Sequence, residues 1–162
     1  MPLVLNSSSI TGLAAVGGLS SPQTGSVLQV VHTTYTTQQS STSTSYADSG
    51  LYASITPTSS SSKILVIVSH NGNLVTGAQN AIANFRLLRG STSIINDFAA
   101  LGNSLNNIEV VYGAASASYL DSPATTSSTT YKTQFKNKYG AGTVFTNAYD
   151  ASATMTLLEI AG

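Results

Sequence analysis

From Thr129 to Asn137 the chain reads TTYKTQFKN. Tyr131, Thr133 and Phe135 fall on one side of an extended backbone, and Lys132, Gln134 and Lys136 on the other. This period of two is the mark of a half-buried β-strand. Similar short segments recur along the sequence. Val27–Thr37 is rich in valine, threonine and tyrosine, which pack well on a pleated surface. In Tyr46–Thr56, Leu51, Ala53 and Ile55 alternate with Tyr52, Ser54 and Thr56, and Pro57 ends the run because proline cannot donate to a ladder. Ala81–Arg89 and Glu109–Tyr119 follow, with a short apolar run at Ser93–Asp97, and Thr143–Asn147 and Ala153–Ile160 finish the chain.

Between these segments lie turn signals. Gln38–Ser45 is polar and reads as a loop, and Ser59–Ser62 and Gly90–Thr92 read as turns. His70-Asn71-Gly72-Asn73 reads as a turn built on an Asn-Gly pair. Ile64–Val68 is a continuous apolar run, which predicts a central strand covered on both faces. About eight short strands without an amphipathic helix predict an all-β chain, an antiparallel β-sandwich of jelly-roll-like type. Loop lengths leave the strand order open.

Residues 1–26 differ. Gly, Ser, Thr and Pro dominate, and Leu3, Val4, Leu5, Ile10, Leu13 and Val16 are scattered among them. Such a segment cannot offset its own ordering entropy by burial. It is expected to be an extended N-terminal arm that orders against another surface, with residues 27–162 as the sandwich body.

Charge narrows the function. Only 7% of residues are charged, and six Lys+Arg balance six Asp+Glu. Nucleic-acid binding needs clustered cations, so none is expected. The absence of cysteine removes disulfides and thiolate chemistry. No apolar run reaches membrane-spanning length, and no secretory leader is evident at the start. That combination fits a chain that leaves its cell by lysis rather than by secretion. With four lysines and four prolines, sheet edges lack their usual guards. A net charge near zero favours association. A homo-oligomer with cyclic symmetry would close those edges.

Candidate chemistry is sparse. His32 or His70 could be set on paper with Asp48, Asp97 or Asp121 and one of many serines, but no nucleophile elbow is present. The acids are scattered singly, without the pairing that glycoside hydrolysis needs. No catalytic residue, cofactor site or metal site is expected. Arg86 and Arg89, the only arginines, suggest an inter-subunit salt bridge to Asp97 or Glu109. Lys132, Lys136 and Lys138 read as the solvent face of one strand and its turn. Tyr35, Tyr46, Tyr119 and Tyr149 are candidates for glycan or protein contact through a ring with a polar handle.

The ordered segments GSVLQVVHTTYTTQ, SYADSGLYASITPTSSSSKILVIVSHNG, FRLLRGSTSI, SASYLDSPATTSSTTYKTQFKN and ATMTLLEIAG resemble a family of short phage virion proteins of the tail-fibre-like type. ITPTSSSSKILV, LLRG and YLDSPATTSSTTYK are the most characteristic pieces, and the likeness spans nearly the whole chain. The resemblance implies a trimeric, β-rich virion component and brings no catalytic residues. The expectation is a non-enzymatic protein of the particle surface, either a homotrimeric capsid decoration protein or a short fibre. The arm would grip other phage structural proteins of capsid or tail. The alternative is a tail-fibre domain that binds a host receptor or surface glycan.

Overall fold

The computed structural model describes residues 22–76, 80–103 and 110–162. All regular structure among them is β. The strands are β1 (Val27–Tyr35), β2 (Gln39–Ser41), β3 (Ala47–Ile55), β4 (Lys63–Thr76), β5 (Ala81–Arg89), β6 (Thr92–Asn103), β7 (Val110–Asp121), β8 (Thr129–Asn137), β9 (Thr143–Thr146) and β10 (Ala153–Ile160). The arm lies outside the described residues except for 22–26. Of these, Gly25 and Ser26 are tied to the body by Gly25 N–H to Ala161 O and Ala161 N–H to Ser26 O.

Two antiparallel sheets form. In the first, β4 is central, with β7 along one edge. On its other edge β10 pairs with Lys63–His70, and β9 takes over at Leu74–Thr76. β1 lies outside β10, and β2 outside β9. The second sheet has the order β3-β8-β5-β6. The long strands thus run β1-β10-β4-β7 in one layer and β3-β8-β5-β6 in the other, and most connections cross between layers. This is jelly-roll order in a β-sandwich.

The interior follows from alternation. Every second residue of β8 and β10 is buried. Ile55, Val66, Leu87, Tyr131, Met155 and Leu157 pack in one cluster between the sheets. Val75, Phe85, Phe135 and Val144 form a second. Burying a Leu or Phe side chain is worth about 1.5–3 kcal/mol, so these two clusters hold the layers together.

The Asn71-Gly72 reading needs correction. No turn occurs there, and β4 runs unbroken from Lys63 to Thr76. Its register with β7 slips between His70 and Asn73, a β-bulge. Positive φ serves a bulge as well as a hairpin, and Gly72 has φ 63°. A Cβ there would sit 2.6 Å from the Ala148 carbonyl and collide with Ala151. The β9–β10 loop docks against this point, with Ala148 N–H donating to Gly72 O at 2.9 Å. Two further differences are smaller. The polar Gln38–Ser45 segment contains β2, three residues long. Ile64–Val68 is central in the ladder but covered on one face only, since Ile67 on the outer side is 43% exposed.

Candidate interaction surface

The sequence-selected histidines occupy different environments. His70, expected in a turn, is fully buried on the inner side of β4. Its Nδ1 shares a hydrogen bond with Thr146 Oγ1 (3.1 Å) and its Nε2 with Thr133 Oγ1 (2.9 Å). Ser49 Oγ extends this chain, donating to Thr133 O at 3.1 Å. The Phe85 ring lies 4.8 Å from the imidazole. Burial lowers the His70 pKa to about 4, so the ring is neutral near pH 7 and cross-links the two sheets. His32 is exposed on β1, with Nδ1 at 2.9 Å from Thr156 Oγ1.

The three aspartates named with them have other partners. Asp48 accepts from Gln134 Nε2 (2.7 Å) and Lys132 Nζ (3.0 Å). Asp97 accepts from the Tyr46 hydroxyl and from Asn84 Nδ2. Asp121 accepts from Arg89 Nη1 (2.9 Å) and the Tyr131 hydroxyl (2.7 Å). The structure therefore brings neither histidine to an aspartate. Among the described residues no group of three His, Asp or Glu is placed to hold a metal.

The arginines have partners within their own chain. Arg89 pairs with Asp121 inside its own chain, and Glu109 lies outside the described residues. Arg86 donates to Gln134 Oε1 at 2.8 Å and lies over the Tyr46 ring at 4.2 Å. Lys136 Nζ is 4.4 Å from the same ring. Burial, and then the hydrogen bond to Asp97, hold the Tyr46 phenol well above its usual pKa. The outer face of the second sheet is thus a network of Asp48, Lys132, Gln134, Arg86, Tyr46 and Lys136.

A buried carboxylate fixes the end of the first sheet. Glu159 is fully buried and accepts from Gln29 Nε2 (2.6 Å), Thr58 N–H (2.7 Å) and Thr58 Oγ1 (2.7 Å). Burial alone would raise its pKa, but these bonds, led by that from Gln29, outweigh it and bring the value to about 2. Beside it a surface pocket of about 580 Å³ opens between Pro22, Leu28, Thr58, Ser61 and Ala161.

The outer face of the first sheet is the main contrast. Val30 pairs with Leu158, Leu158 with Leu65, and Leu65 with Leu120, a straight apolar row across four strands. Val30 is 58% exposed and Leu120 50%. Val27 and Ile160 lie on one side of this row and Ile67 on the other. Farther along, Thr34, Thr154, Ser69 and Ser116 make a row of hydroxyls. Among the described residues Lys63 is the only Lys, Arg, Asp or Glu in these rows. Exposed apolar groups arranged contiguously mark a contact surface rather than ordinary solvent exposure.

The candidate tyrosines do not gather at one place. Tyr35 packs over Gly50, where a Cβ would collide with its ring. Tyr46 lies between cations, and Tyr119 is 38% exposed. Tyr149 is 72% exposed and is joined by Tyr112, which the sequence reading did not select. The available signal was the run of small residues after Tyr112, at Ala114, Ser116 and Ser118, which leaves that side of the strand uncovered. No protein-family model matches the chain, and the search of curated proteins returned no relative.

Proposed function

We propose that this chain is a non-enzymatic structural protein of a phage virion. It assembles with copies of itself as a homotrimer on the particle surface, as a capsid decoration protein or short fibre. The apolar row Val30–Leu158–Leu65–Leu120 carries this reading. A row of that kind on an outer face loses free energy to water until another surface covers it. Three copies that turn this uncharged face toward a common threefold axis would cover it, and cyclic symmetry closes the set. The resemblance to short phage virion proteins supports the same assignment. Residues 22–26 join the body at the end of the sheet nearest this row, and the arm, residues 1–26, supplies the attachment to a neighbouring capsid or tail protein.

Sedimentation equilibrium of the full chain at micromolar concentration is expected to give a trimer. The double variant Val30→Asp with Leu120→Asp should sediment as a folded monomer. A monodisperse wild-type monomer would overturn the proposal. Deleting residues 1–25 should leave the body folded and abolish attachment to the particle, and normal decoration by the truncated protein would remove the arm's role.

A further inference from the structure

Beyond the apolar and hydroxyl rows, the outer face of the first sheet ends in a pair of tyrosines. Tyr112 on β7 neighbours Leu74 of β4. Its ring centroid lies 5.4 Å from that of Tyr149, with the planes tilted by 46°. The rings are 55% and 72% exposed.

The backbone that presents Tyr149 is unusual. Asn147, Tyr149 and Asp150 all have positive φ, at 56°, 56° and 58°. Asn and Asp tolerate that region, but a tyrosine seldom occupies it. Such backbone persists only where its surroundings over-determine it. Here they do. Asn147 Nδ2 donates to the carbonyls of Tyr35 and Thr37, each at 3.2 Å. Ala148 is bonded to Gly72, and Asn71 Nδ2 donates to Ser152 O at 3.1 Å. The loop is therefore clamped from both sides while its largest side chain stands in solvent. That ring adds little to the core, and the clamping bonds bear the cost of its backbone conformation.

The neighbourhood sets what it can contact. Ala114, Ser116, Ser69 and Thr154 lie along the sheet from Tyr112, and Asn71 and Ser152 lie beside the loop. These groups offer hydroxyls, amides and small surfaces without a cation. Asp150, next to Tyr149, is exposed and disfavours an anionic ligand. A pyranose ring has one face of C–H groups and a rim of neutral hydroxyls. The first stacks on tyrosine, and the second matches hydroxyl and amide partners. Tyrosines also lose little conformational entropy on binding.

We propose that Tyr112 and Tyr149 form a stacking platform for a neutral saccharide, with the adjoining hydroxyl row as its polar floor. The site lies at the opposite end of the sheet from the apolar row and does not depend on how copies assemble.

The test uses the full chain with maltotriose and chitotriose as probes in saturation-transfer NMR, followed by an array of neutral glycans. Transfer to ring C–H protons of at least one neutral probe is expected. Tyr149→Ala should weaken that binding roughly tenfold, as should Tyr112→Ala, while Tyr149→Phe keeps most of it. Circular dichroism and thermal midpoint should match the wild type for Tyr149→Ala. No binding to any neutral glycan, or binding that survives the double alanine variant, overturns the proposal. Preferential binding of choline chloride also overturns it, because the tyrosines would then be reading a cation.

Discussion

The two outer faces of this sandwich are built from the same short menu of residues and come out differently. On the second sheet, Asp48, Gln134 and Arg86 stand side by side across three strands. Lys132 and Lys136 flank Gln134 on β8, so much of the chain's small complement of charge gathers on one surface. On the first sheet the matching positions hold valine, leucine, serine and threonine. Strand alternation decides only which residues point away from the core. The chemistry of the outward set then decides whether that face is wetted or covered, and here one face carries ionic groups and the other almost none.

The largest expected effect separates inside from outside on a single strand of the first sheet. Leu157→Ala, which empties a fully buried position, should cost about 2–5 kcal/mol in denaturant unfolding. Leu158→Ala, one residue on, points outward. Measured in the Val30→Asp/Leu120→Asp variant, which should be monomeric, it should cost well under about 1 kcal/mol. Equal costs would show that the outer row is itself core and break the contrast between the faces.

Acid should act through buried groups rather than through the ionic face. The His70 pKa is lowered from 6.5 to about 4 in the folded protein. The unfolded chain therefore binds the extra proton first, and stability falls as pH drops from 6.5 to 4. A difference of that size is worth about 3 kcal/mol. Glu159, lowered from 4.5 to about 2, should cause a second loss as pH drops from 4.5 to 2. Thermal midpoints measured against pH should show both steps. His70→Gln should remove the upper step, and Lys132→Ala should leave both in place. A profile that instead follows Lys132 would move the acid response to the second face.

The smallest effects belong to the ionic face itself. Arg86→Ala removes a guanidinium from Gln134 and from the Tyr46 ring and should cost about 1 kcal/mol. Lys132→Ala breaks a pair whose side chains are 31% and 57% exposed and should cost about 0.5 kcal/mol or less. Urea titrations of both variants would check this ranking.

Much of the architecture was legible because it is local. Thr129–Asn137 and Ala153–Ile160 alternate so regularly that their strand limits coincide with the reading. Strand order was not legible, since β1 and β10 pair across most of the chain and nothing local records it. The Asn71-Gly72 signal was real but ambiguous, because the same left-handed glycine can turn a chain or bulge a strand. What decided was the Ala148–Ala151 loop pressed against it, a contact from far along the sequence. His70 was misplaced by the same ambiguity. Ile64–Val68 overstated coverage, because an apolar outer face looks the same in sequence whether its cover comes from this chain or from elsewhere. The interaction surface was half visible. Tyr149 was selected, but its partner Tyr112 and the apolar row became apparent only through the registers of four strands.

β4 gives the molecule a direction. Its Lys63 end lies beside Ile160 and Val27, close to where residue 22 enters, and its Leu74 end lies beside Tyr112. Eleven residues of extended chain separate the two, about 35 Å. Under the proposed virion role, a body moored through the arm would stand upright on that strand, with its root at the particle and its aromatic tip facing outward.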